Sequence, residues 1–211
     1  MLACGMLACV VSTLVVSGST TPLAAQGAAQ GAASVTTPTQ VTDFGNAIDH
    51  RDPQVGAFAP GASTVTTDFD GTALNLWVYK PDNYIGDGFI VLFHGASRAA
   101  EAYRDNARGF AESFGRLVVV PEFDAERFPS RLYQFGGAFA EDGSPAEPDD
   151  WTFAFVPKLV EHIRLREGAP SMPHVLLGYS AGAQFLSRMA AFIDLEAERL
   201  IVMSPGSAPF V

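Results

Sequence analysis

Four uninterrupted apolar runs constrain this chain more than any other feature: FIVLF at 89–93, LVVVP at 117–121, HVLLGY at 174–179 and LIVMS at 200–204. A strand that meets solvent on one face alternates apolar with polar residues, so an unbroken run marks a strand covered on both faces. Helical patterns fill the spaces between the runs, at 101–114, 151–167 and 181–193. Strand and helix in alternation predict an α/β fold: a mostly parallel, twisted sheet with helices on both faces. TALNLWVY at 72–79 differs, because it alternates as a half-buried strand does, and Lys80-Pro81 ends it.

The composition fits one domain. The chain has 211 residues, 48% of them hydrophobic, which is enough to bury a sizeable core. Its net charge of −10 sets it against nucleic acid and anionic membrane surfaces as partners. Cys4 and Cys9 are its only cysteines, so neither a disulfide framework nor a thiolate zinc site is expected in the main domain. His50, His94, His162 and His174 have no close metal-ligand spacing, and no metal or other cofactor is expected.

The start of the chain reads as an export signal over residues 1–25. MLACVVSTLVV has the length of a signal's apolar region, and PLAAQ offers small residues for cleavage near Ala25. Ser, Thr and Gly interrupt the run before it is long enough to span a bilayer, so no stable membrane span is expected. Residues 26–42 have the uncharged Ala/Gly/Thr composition of a flexible linker, and a single domain is expected over 43–211.

Within that domain GYSAG places Ser180 between a buried strand and a helix. A strand that turns sharply into a helix brings backbones together, which asks for glycine at 178 and 182. The turn projects the Ser180 hydroxyl outward, beside Tyr179, and the helix that follows aims its free N–H groups at the same spot. FIVLFHGAS is a second buried strand, ending in His94-Gly95. Its loop leaves the carboxyl edge of the sheet, where ligands bind in open α/β folds.

On these residues the chain resembles the α/β-hydrolase superfamily over about residues 65–204. FIVLFHGA is similar to the oxyanion-loop strand of that superfamily, and GYSAG to its nucleophile elbow. VVVPEFDAERFP, WTF and GYSAGAQFLSRM resemble exported esterases of the polyhydroxybutyrate depolymerase and feruloyl esterase type. The resemblance implies that Ser180 is the nucleophile and that the backbone N–H groups of Ala96 and Ala181 form the oxyanion hole. It implies a serine esterase working through an acyl-enzyme on a small or polymeric ester, exported to the periplasm or beyond. Two other readings stay open: a non-catalytic binding or structural protein on this fold, and a peptidase or thioesterase.

A serine hydroxyl needs a base within hydrogen-bond reach, and in this superfamily acid and then histidine follow the serine. No histidine follows Ser180, and Asp194, Glu196 and Glu198 precede a strand at the wrong end of the sheet. His94 ends the oxyanion strand, His174 opens the elbow strand at its far end, and His162 sits in a helix with half-exposure expected. Lys158 lacks the spacing of a Ser-Lys pair. The sequence therefore resembles the first two-thirds of a serine esterase, incomplete at its C-terminal end, with weak activity or none expected of this length. Ser97, Arg98 and Tyr103 past the His94-Gly95 loop, and Phe123, Asp124 and Tyr133 past the LVVVPE strand, are candidate substrate contacts. The Gly/Pro-rich segment 134–150 is long enough for a lid or binding loop, with Trp151 and Phe153 anchoring the helix behind it.

Overall fold

The apolar runs become neighbouring strands of one sheet. A computed structural model describes residues 56–207, so the expected signal and linker lie outside the described residues. The strands are β1 (Gly61–Phe69), β2 (Thr72–Lys80), β3 (Phe89–Phe93), β4 (Leu117–Pro121), β5 (His174–Tyr179) and β6 (Arg199–Met203). They lie in the order β1-β2-β4-β3-β5-β6. β4, β3, β5 and β6 are mutually parallel, whereas β1 pairs antiparallel with β2 and β2 with β4. The sheet is thus mixed, with its parallel part built from the four apolar runs.

Alternation of side chains along the strands explains why those runs are unbroken. Ile90 and Leu92 on β3 point to one face with Val118 and Val120, where Ala100 of α1 (Ala100–Asn106), Ala111 of α2 (Arg108–Phe114) and Ala107 between the two helices cover them. Phe89, Val91 and Phe93 point the other way. There they meet Val156, Leu159 and Ile163 of α3 (Phe155–Arg166) and Phe185, Leu186 and Met189 of α4 (Ala181–Met189). Helices cover both faces, as expected.

Three expectations about elements change. The helix expected over 101–114 is two, divided at the buried Ala107. The one expected from 151 begins as two short 3-10 turns, Pro148–Asp150 and Thr152–Ala154, before α3 starts at Phe155. Strand β1 was not expected at all, since STVTTDF offers only Val65 and Phe69 as apolar residues. The signal for it was the Asp70-Gly71 pair, whose φ values of 54° and 85° make the two-residue hairpin turn that matches strand twist. The Asp68 carboxylate accepts the Gly71 N–H at 2.8 Å and steadies that turn.

Candidate active site

Register brings the two loops together. β3 and β5 are adjacent and parallel, with Phe93 opposite Gly178. Gly95 and Ser180, each two residues further along, therefore leave the sheet side by side at the carboxyl edge. A Cβ built on Gly95 would stand 3.7 Å from the Ser180 Cβ. Ala96 and Ser97 are exposed on the same loop, and Tyr179 is 45% exposed beside the serine.

Ser180 has φ 53° and ψ −112°, a conformation that L residues rarely hold and that costs about 1–3 kcal/mol. Neighbouring backbone holds it there: the Ser180 N–H donates to the Met203 carbonyl at 2.9 Å, and its carbonyl accepts from Gln184 N–H at 3.0 Å. The side chain makes no capping bond to α4, so its hydroxyl is left for another partner. Ser180→Gly is accordingly expected to stabilise the fold, by about 1 kcal/mol, because glycine holds positive φ without strain. A urea midpoint equal to or below that of the parent would contradict the strain.

Both elbow glycines are required by contact rather than by φ. A Cβ on Gly178 would lie 2.5 Å from the Gly182 carbonyl oxygen, and one on Gly182 would fall on the backbone carbonyl of Phe93. Strand β5, helix α4 and strand β3 touch backbone to backbone at this point. Ala181 is the first residue of α4, so its N–H has no carbonyl within the helix to bond.

His94 is fully buried and holds the loop from within. Its Nδ1 lies 3.0 Å from the Gly95 carbonyl, so Nδ1 carries the proton, and Nε2 accepts the Phe123 N–H at 3.1 Å. The Tyr133 hydroxyl donates to the His94 carbonyl at 2.7 Å. Arg98 donates to the Phe123 carbonyl at 2.8 Å and lies over the Tyr133 ring at 4.4 Å. Phe123 and Tyr133 are thus core residues, 1% and 0% exposed, and the expected substrate contact is corrected: they support the loop from behind. The Asp124 carboxylate is taken up by its own turn, accepting from the N–H groups of Glu126 and Arg127 and from Arg127 Nε.

The other described histidines stand elsewhere. His174 stacks on Phe89 at the start of β5, about 20 Å from Ser180 at strand rise. His162 is buried, not half-exposed as expected, with its Nε2 3.2 Å from Thr67 Oγ1 and its ring edge-on to Phe69. Packing of α3 against the β1–β2 hairpin accounts for the difference. His50 lies outside the described residues. Lys158 pairs with Asp70.

Burial lowers the pKa of His94, His162 and His174 from 6.5 to about 4 each. The unfolded chain takes up these protons first, so stability is complete above about pH 6.5 and is lost as pH falls toward 4. For His94 alone the loss is about 3 kcal/mol across that window. The urea midpoint should fall markedly between pH 7 and pH 4.5, and a flat midpoint would mean that these rings are not held neutral.

Segment 134–150 is built rather than loose. Phe139 bridges to Pro145, and Ala140 N–H donates to the Ser144 carbonyl. Trp151 meets Phe153 and Phe192 edge-on, and Phe153 packs on Phe185, so both aromatics anchor the approach to α3. Among the described residues no group of His, Cys, Asp and Glu is placed to hold a metal, and no helix is long and apolar enough to cross a membrane.

No family model matches the chain, and no curated protein matches it. Solved structures do. Poly(aspartic acid) hydrolase-1 from Sphingomonas sp. KT-1 matches at 30% identity and TM-score 0.64, over 69% of this chain and 56% of its own. A poly(3-hydroxybutyrate) depolymerase from Bordetella parapertussis matches at 30% identity and TM-score 0.62, over 66% of this chain and 50% of its own. The chain has the fold of the α/β-hydrolase superfamily. An acetyl xylan esterase from Aspergillus awamori shares the fold at 20% identity and TM-score 0.51, over 67% of this chain and 51% of its own. The chain therefore spans about half the length of the solved relatives it matches.

Proposed function

We propose that the chain carries the nucleophile and oxyanion half of a serine carboxylic-ester hydrolase that works through an acyl-enzyme. The observation that carries the proposal is the strained Ser180, φ 53°, held at the carboxyl edge of the sheet with the Gly95 loop packed against its Cβ. Ser180 Oγ attacks the acyl carbon, and the N–H groups of Ala96 and Ala181 receive the negative charge that develops on the carbonyl oxygen. One such donor is worth about 3–4 kcal/mol of transition-state stabilisation. His94, Gly95, Gly178 and Gly182 position these groups, while Ser97 and Tyr179 are exposed where a substrate would sit.

The base is none of the three described histidines. His94 has both ring nitrogens engaged, and His162 and His174 are built into packing away from Ser180. An ester, polymeric or small, is the substrate class in keeping with the matched depolymerase. The matched poly(aspartic acid) hydrolase supports amide cleavage as the second reading. Export, implied by the apolar start and the PLAAQ segment, belongs to the same proposal.

The test is covalent. Treated with nitrophenyl acetate and imidazole, the protein should gain one acetyl group, which peptide mapping should locate on Ser180. Acetylation scattered over lysines, with Ser180 unmodified, would overturn the proposal in favour of a non-catalytic protein on this fold.

A further inference from the structure

Tyr103 is the fourth residue of α1, the helix that starts directly after the Gly95–Ala99 loop. Its ring packs beside His94 and beside Tyr179, with centroids 6.3 Å and 6.4 Å away, and it is only partly buried. The position a Cβ would take on Gly95 is 2.6 Å from the Tyr103 hydroxyl and 3.7 Å from the Ser180 Cβ. The hydroxyl and the serine thus face one small volume, on either side of a glycine whose missing Cβ leaves room for the hydroxyl. The hydroxyls of Tyr79, Tyr84 and Tyr133 each have a partner: Glu112, Met172 and the His94 carbonyl. The Tyr103 hydroxyl has none among the described residues. A donor placed against a reactive centre and left without a protein partner is available to a ligand.

We propose that Tyr103 is a further catalytic residue, its hydroxyl donating a third hydrogen bond to the oxygen that becomes negative when Ser180 attacks. The proposal rests on the assignment of Ser180 as nucleophile. In the step, the bond from Ser180 Oγ to the acyl carbon forms and the carbonyl π pair moves onto oxygen. The Oγ proton passes to the base. Tyr103 keeps its own proton throughout and shares it with the oxyanion, alongside the N–H groups of Ala96 and Ala181. When the intermediate collapses, the oxygen regains its double bond, the bond to the alcohol oxygen breaks, and the protonated base gives that oxygen its proton so that the alcohol leaves. A side-chain donor beside two backbone donors suits a substrate whose carbonyl sits close to the Gly95 turn, and Tyr179 would then flank the bound ester.

The experiment follows acylation of Ser180 by intact mass, with imidazole as base, using nitrophenyl acetate and its thionoacetate analogue. Sulfur is a poor hydrogen-bond acceptor, so loss of a donor should weigh less on the thionoester. Tyr103→Phe keeps the ring in its packing and is expected to slow the acetate reaction about tenfold, a share of what a full oxyanion donor contributes. The thionoacetate reaction should slow by less than half as much. Fluorotyrosine at position 103, which strengthens the donor without removing it, should leave the acetate rate at or above that of the parent. Equal rates for parent and Tyr103→Phe, or equal proportional losses on both esters, would overturn the role of Tyr103 while Ser180 stands. Absence of any acyl group on Ser180 in the parent would instead overturn the nucleophile assignment, and this role with it.

Discussion

Ser180→Ala is expected to abolish the imidazole-dependent acylation of this chain completely. The described residues hold a strained serine beside the Gly95 loop but no histidine in position to take its proton. On the proposed assignment such a site retains what geometry and the oxyanion donors supply, about 10³–10⁴-fold over water in triad enzymes stripped of a triad member. Among the described residues it has no general base, a group that contributes about 10²–10⁴-fold. Imidazole in solution should restore part of that factor, roughly 10²-fold at saturation, and the rate should follow its neutral form as pH rises through 7. Deacylation needs a base as well, so acetyl-Ser180 should accumulate when imidazole is removed. Imidazole also cleaves nitrophenyl esters unaided, which makes the Ser180→Ala protein the reference for each rate. A fast reaction without imidazole, lost on His50→Ala, would show that a base within this chain serves Ser180.

Gly182→Ala should cost the fold more than any other single methyl at the site. The added carbon would meet the carbonyl and Cβ of Phe93, and Phe93 is fully buried between Phe123 and Phe185. Backbone in the middle of a packed sheet cannot swing aside as the end of a flexible side chain does. Overpacking of this kind costs about 3 kcal/mol, which for a domain of this size lowers the melting temperature by roughly 10 °C. Gly109→Ala supplies the contrast: it lies in α2, a Cβ there meets nothing within 4 Å, and a gain of about 0.5–1 kcal/mol is expected. Thermal unfolding of the two variants checks both. Similar midpoints would mean that β3, β5 and α4 are not in backbone contact at the elbow.

Much of the architecture was legible because it depends on local pattern. FIVLF, LVVVP and HVLLGY proved to be parallel strands largely covered on both faces, and LIVMS the half-exposed parallel strand β6 at the edge of the sheet. The β1 strand escaped for the opposite reason. At one edge of the sheet its Thr64, Thr66 and Asp68 face out, and only the Asp70-Gly71 turn announced it. His162 is buried where half-exposure is expected because helix position alone does not say what packs on the helix. The β1–β2 hairpin reaches α3 across a long stretch of chain, and Thr67 and Phe69 bury the ring.

At the site the division falls in the same place. The sequence by itself determined that Ser180 stands between strand and helix with glycines on either side, that a His-Gly loop ends a second buried strand, and that no histidine comes after the serine. Those are properties of neighbours along the chain. Only the tertiary structure decided that Phe93 stands opposite Gly178, which sets the two loops side by side, and that Phe123 and Tyr133 serve the loop from the core instead of meeting substrate. The same folding turned His94 into a holding group with both nitrogens occupied and brought the Tyr103 hydroxyl to the Gly95 turn. The physical reason is that strand order and register are set by burial summed over the whole sheet, and no short stretch of sequence contains that sum.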